Sequence, residues 1–287
     1  MKRLTASLLG LALAACLAAP AAAAPTECPD KFAGGAAPDV VNPKLLQRTQ
    51  PLCFSAFAVL HSGVVRTSLW SAERLTREGL RRARETGRVN AFHAETRLAP
   101  SDRSELADFS RSGYDRGHLA PSADFPDPVS QEESFSLANM IPQDPNLNRG
   151  LWEGIESAVR TLASRSGELY VVTGPVYRGG EVKALRGRVL VPTHVYKAVY
   201  DPRTGRSGAY LAPNAPGADW KALSVAELTA MTGIDVFPAL PASAKTVAMQ
   251  LPDPTPHGFD RGTAQGGGEG ILAKSARWLA RKVTGSW

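Results

Sequence analysis

Tyr114-Asp115-Arg116-Gly117-His118-Leu119-Ala120-Pro121 is the stretch from which the rest of the chain can be read. It sets a histidine two residues after an arginine, so in an extended backbone both side chains point the same way. The glycine between them has no Cβ and permits close approach of a backbone or a ligand. Further on, Asn139-Met140-Ile141-Pro142-Gln143 and Asn148-Arg149-Gly150-Leu151-Trp152-Glu153-Gly154-Ile155-Glu156 add two asparagines and a glutamate. Residues Asn148 to Ser164 read as a helix, with Leu151, Ile155, Ala158, Val159 and Leu162 on one face and Asn148 or a neighbour as the cap. Asn148 and Glu156 lie eight residues apart, about two helical turns plus one residue, so both can face one side.

The chain has 287 residues, 43% of them hydrophobic, and can bury a core. Lys2 and Arg3, the apolar run Leu8 to Leu17, and Ala21-Ala22-Ala23 form the pattern of a secretory signal over residues 1–23. The run is too short to span a bilayer. Leu13-Ala14-Ala15-Cys16 also resembles a lipoprotein box, which makes anchoring through Cys16 a minor alternative to a secreted or periplasmic chain. Loss of Lys2 and Arg3 lowers the formal charge from +6 to +4, a modest basic balance that suits a polyanionic partner. Cys28 and Cys53 then remain as an even pair in an oxidising compartment, and a disulfide between them is expected.

In chain order, residues 24–51 are rich in Pro, Gly and Ala and read as an extended arm held by that disulfide. Leu52 to Leu60 reads as a strand, His61-Ser62-Gly63 as a turn, Val64 to Trp70 as a second strand and Ala72 to Glu85 as a helix. Residues 86–113 read as a polar loop carrying Arg88, His93, Arg97 and Arg103. Glu168 to Pro175 is a buried strand, Arg188 to Pro192 and His194 to Tyr200 are strands, and a hairpin returns over Ser207 to Ala212. Ser224 to Met231 is a helix, with Ser224 and Glu227 as a capping box and Gly233 as its stop. His61 and His194 read as structural. The main domain covers 52–250; residues 251–287 form a Gly/Pro linker and a basic tail. No transmembrane segment follows the signal.

The central residues match what phosphodiester hydrolysis needs: a base for water, cations for phosphate oxygens, and a hard metal ion. Mg²⁺ prefers oxygen ligands and keeps several waters; an asparagine oxygen with a glutamate along the helix offers such a site. His118 would accept the proton, and Arg116 offers a planar fork to phosphate. The bland reading is an Asp115–Arg116 ion pair beside a buried histidine. The joint spacing of three motifs argues against coincidence.

These motifs, with Val172-Thr173-Gly174-Pro175, resemble the DNA/RNA non-specific endonucleases of the ββα-metal superfamily, the endonuclease G-like group, over about Leu52 to Leu240. The resemblance implies an α+β fold: a mostly antiparallel, six-stranded-type central sheet flanked by helices, with the active site on a hairpin plus a helix. It implies His118 as general base, Asn148 as the direct protein ligand of Mg²⁺ (or Mn²⁺), Glu156 holding metal-bound water, Arg116 and Arg160 on phosphate, and Asn139 supporting the histidine. It further implies DNA and RNA as substrates, contacted through phosphates and cut to 5′-phosphate ends; a homodimer is left open. An upstream basic phosphate contact near Phe92 has no clean match, and Arg88, Arg97 and His93 compete for it. A non-catalytic nucleic-acid-binding protein, or a phosphodiesterase-type effector with a narrower substrate, are the alternatives.

Overall fold

The computed structural model describes residues 26–180 and 182–256. The signal region and most of the basic tail lie outside them. Seven antiparallel strands form the central sheet, in the order Lys221–Leu223, Arg206–Pro213, His194–Asp201, Glu168–Val176, Thr67–Thr76, Phe57–Ser62 and Thr49–Cys53. The α+β architecture is the one expected, with one strand more than the resemblance implied.

Side chains alternate across a strand, so the sheet builds two cores. Leu169, Val171, Val195 and Val199 pack on one side with Ile155 and Val159 of the helix Glu153–Ser166 and with Trp152 just before it. Trp70, Val172, Tyr196 and Ala198 pack on the other with Val225 and Leu228 of the helix Val225–Thr232. The latter helix starts on the anticipated Ser224–Glu227 capping box and stops at left-handed Gly233.

Several boundaries differ from the sequence expectation. The residues Ala72 to Thr76 are strand, not helix: they pair with Glu168 to Val172, and the helix is confined to Arg77–Ala83, where Thr76 Oγ1 accepts from Gly79 N at 3.0 Å. The apolar run Leu52 to Leu60 is broken into two strands, and His61 and Ser62 are strand residues rather than a turn. His61 is buried, its Nε2 2.9 Å from the Asp102 carbonyl, and burial lowers its pKa. His194, half-buried at the start of its strand, pairs with Thr193 Oγ1.

The described part of the arm, residues 26–51, is part of the fold. Cys28 and Cys53 are joined in a disulfide, Phe32 meets the Trp70 ring edge-on at 5.9 Å, and Asp39–Val40 pairs with Ile234–Asp235. Residues 251–256 also dock rather than dangle: Tyr210 Oη donates to Pro252 O at 2.7 Å, and Leu251 is buried.

Candidate active site

The site is built on the short hairpin-like pair Asp115–His118 and Met140–Gln143, set beside the start of the long helix. Gly117 is required there because a Cβ would fall on the Gln143 side chain. The helical run does not begin as a regular α-helix. Leu147–Trp152 is a π-helix, and the first free amides are taken by Asp144 Oδ1, at 2.9 Å from Asn146 N and 3.3 Å from Leu147 N. Asn148 is therefore inside the helix rather than its cap. π-turns inside helices often mark functional sites.

A cavity of about 410 Å³ gathers Arg88, Arg116, His118, Asn148, Glu156 and Arg160. His118 is buried, with Phe135 edge-on at 4.9 Å and Phe92 at 5.9 Å. Its Nε2 has no hydrogen-bond partner among the described residues. Burial, and then the charge of Arg88, lower its pKa to about 3, so the ring is neutral near pH 7. Arg116 lies over the Phe92 ring at 4.2 Å, and Arg88 over Phe135 at 5.4 Å. Among the three upstream candidates, only Arg88 lines the cavity. Arg97 pairs with Glu95 and stacks on Phe54, and His93 Nδ1 is spent on the Ala91 carbonyl.

Asp115 does not pair with Arg116. Its carboxylate accepts from Asn148 Nδ2 at 2.9 Å and takes Arg149 in a two-point grip at 2.8 and 2.6 Å. Asn139 is fully buried beneath the cavity and outside its lining. Its Oδ1 accepts from Ala120 N at 3.0 Å, its Nδ2 donates to Ala120 O and Ser134 O, and its carbonyl accepts from Leu119 N. It holds the chain just after His118, without touching the imidazole.

Behind the cavity lies a buried charged network. Lys197 Nζ donates to Thr173 Oγ1 at 2.7 Å and to Leu119 O at 3.3 Å, sits 3.9 Å from Glu73, and lies over the Trp152 ring. Arg160 Nη1 donates to Asp124 at 3.0 Å. Burial pushes Glu156 up to about 7, against the pull of Lys197 and Arg160. Burial likewise raises Asp124, and raises Glu73 well above the carboxylate range. Sequence reasoning missed Glu73, Asp124, Thr173 and Lys197. The available signal was Lys197 itself, a charge at an inward position between Val195 and Val199.

A family model for DNA/RNA non-specific endonucleases matches residues 38–243. The chain belongs to the DNA/RNA non-specific endonuclease family. Nuclease C1 of Cunninghamella echinulata var. echinulata is 35% identical over 164 residues, 52% of this chain and 65% of that nuclease, just under two thirds of its length. Mitochondrial endonuclease G of Bos taurus is 30% identical over 210 residues, 68% of this chain and 70% of that protein. The crystal structure of the EndoG/EndoGI complex superposes with a TM-score of 0.61 at 24% identity, covering 71% of this chain and 90% of that one, a likeness in fold. In this endonuclease-family chain Arg116, His118, Asn148 and Glu156 stand within the quoted motifs, while Arg88 and Arg160 line the same cavity from outside them.

The donor set of that cavity fits a hard cation. Asn148 and Glu156 offer oxygens, and the Asn148 nitrogen, not its oxygen, is the atom held by Asp115. No group of three or more His, Cys, Asp or Glu able to hold a metal exists among the described residues. An ion bound here would keep most of its waters, as Mg²⁺ does.

Proposed function

We propose that this protein is an exported, Mg²⁺-dependent endonuclease that hydrolyses DNA and RNA with little sequence preference. The observation that carries the reading is a buried His118 with an unpartnered Nε2, in one cavity with Asn148, Glu156 and the arginines Arg88, Arg116, Arg149 and Arg160. His118 takes a proton from the attacking water as the new P–O bond forms, and the P–O3′ bond breaks with its electron pair passing to O3′, which takes a proton from solvent, leaving a 5′-phosphate and a 3′-hydroxyl. Arg116, Arg160 and Arg88, which line the same cavity, would neutralise the phosphate oxygens, and contacts of that kind read no base sequence. Asn148, with Glu156 through water, would hold Mg²⁺ (Mn²⁺ as a substitute), which supplies Lewis-acid stabilisation of the phosphoryl and leaving oxygens. Asn139 acts as a positioning residue through Ala120 and Leu119. Export is supported by the signal pattern at residues 1–23 and by the disulfide. No helix among the described residues is long and apolar enough to cross a membrane.

Plasmid nicking with Mg²⁺ and with EDTA, for the native chain and for His118→Ala, tests the proposal. His118→Ala should lose on the order of 10²–10⁴ in rate while keeping DNA affinity. Full residual cutting would remove His118 from the chemistry, and equal cutting in EDTA would remove the metal. Strong preference for one among duplex DNA, single-stranded DNA and RNA would favour the narrower effector reading.

A further inference from the structure

Beside the catalytic cavity lies a second one of about 530 Å³, bounded by Leu106, Arg111 and Tyr114 and sharing Asp115 and Arg116 with the first. Its outer wall is built rather than left loose. Arg186 Nε donates to Ala107 O at 2.7 Å and its Nη2 to Ser110 O at 3.2 Å, and Arg188 Nε pairs with Asp108 at 3.1 Å. Arg111 follows directly, with φ 54, a left-handed conformation that costs a side-chain-bearing residue energy and is kept where the surroundings impose it. Most basic residues around it are committed to carboxylates or carbonyls, Arg103 to Glu105, Arg149 to Asp115, and Arg186 and Arg188 as above, while Arg116 lies over the Phe92 ring in the first cavity. Arg111 has no ion pair or hydrogen bond among the described residues. Next to it stand the half-buried Tyr114 and the 43% exposed Leu106. An uncommitted guanidinium beside an aromatic and an aliphatic surface is the donor set for one nucleotide: a cation for the phosphate and an apolar face for the base. The volume falls within the ~300–1,000 Å³ usual for small-ligand pockets.

We propose that this second cavity is the subsite for the nucleotide adjoining the scissile phosphate, with Arg111 on its phosphate and Tyr114 and Leu106 against its base. The proposal rests on the nuclease reading above for the position of the scissile phosphate. It assigns part of the affinity for a single strand to Arg111, Tyr114 and Leu106, which line the second cavity and not the first.

The test measures binding of a short fluorescent single-stranded DNA by anisotropy over a series of salt concentrations, in His118→Ala protein with and without a second change. Arg111→Ala should weaken binding roughly five- to tenfold and lower the slope of log affinity against log salt by about 0.7, the share of one phosphate contact on a single strand. Arg111→Lys, equally strained at φ 54 but still charged, should keep the slope. Arg206→Ala, on the sheet away from both cavities, should change neither quantity. Should Arg111→Ala fail to fold, Arg111→Gly, which is free of the backbone strain, takes its place. An unchanged slope in the folded, uncharged variant overturns the subsite. Because the readout is binding, a native chain that fails to cut would overturn the catalytic reading while a fall in slope would still uphold this one.

Discussion

The Asp115 carboxylate holds the Asn148 amide nitrogen at 2.9 Å while gripping Arg149 with both oxygens. The carboxamide has two poles, and occupying the nitrogen presents the oxygen as the one left for a cation. Asp115 thus governs an asparagine thirty-three residues away in sequence, on the neighbouring helix.

Asp115→Ala should therefore act through the metal. Supporting groups of this kind typically change metal affinity 10- to 100-fold, and the Mg²⁺ concentration for half-maximal cleavage should rise by about that factor, with saturating Mg²⁺ restoring much of the rate. Asn148→Ala should need still more Mg²⁺. A rate loss in Asp115→Ala that no Mg²⁺ concentration repairs would place the aspartate elsewhere in the mechanism.

Glu156 links function to stability. Its folded pKa, about 7, lies above the ordinary 4.5, so between those values the folded chain binds a proton that the unfolded chain releases. The native state is favoured by this group below about 4.5, and that advantage is lost as pH rises through 7. Glu156→Gln removes a buried charge and should raise stability at pH 8 by on the order of 2–3 kcal/mol, with little gain at pH 4, while cleavage falls steeply. Melting temperature against pH for the two proteins checks the sign; an equal shift at both pH values would separate the gain from ionisation.

His118 runs the other way. Its pKa is lowered from 6.5 to about 3, so the unfolded chain binds the extra proton between those values and stability falls as pH drops through that window. His118→Asn should flatten that acid loss. Urea midpoints measured from pH 6 to pH 4 check it, and parallel curves for the two proteins would contradict it.

Lys197 reaches the same site from below, holding the Leu119 carbonyl next to His118. Lys197→Met should lower kcat at least about tenfold and cost roughly 3–5 kcal/mol, because one member of a buried pair is left without its partner. Lys197→Met with Glu73→Gln should regain most of the stability but not kcat, with KM within about twofold throughout. Recovery of kcat in the double variant would reduce the pair to a structural role.

The Cys28–Cys53 bridge joins residues 25 apart. Replacing both by serine should cost about 3 kcal/mol by the loop-entropy argument, read as a lower urea midpoint, with cleavage at 25 °C unchanged because neither cysteine lines the cavity. An unchanged midpoint would show that packing of Phe32 on Trp70 holds the arm without it.

What the sequence determined by itself was local. The capping box of Ser224 and Glu227, the stop at Gly233 and the buried apolar strand Glu168–Val176 each depend on residues within a short stretch of chain. The grouping of His118, Asn148 and Glu156 was legible because their short motifs resemble those of a known nuclease family. Tertiary structure decided the rest. Ala72 to Thr76 became strand because pairing with Glu168 to Val172 outweighs a local helical pattern. Arg149 rather than Arg116 took Asp115, Arg88 rather than Arg97 or His93 entered the cavity, and Lys197 found Glu73 and Leu119 across the sheet. Each of these choices joins charges from distant segments. Burial makes an unpaired charge costly, so the partner is fixed by which segments the packed core brings within reach, and no short stretch of sequence contains that information.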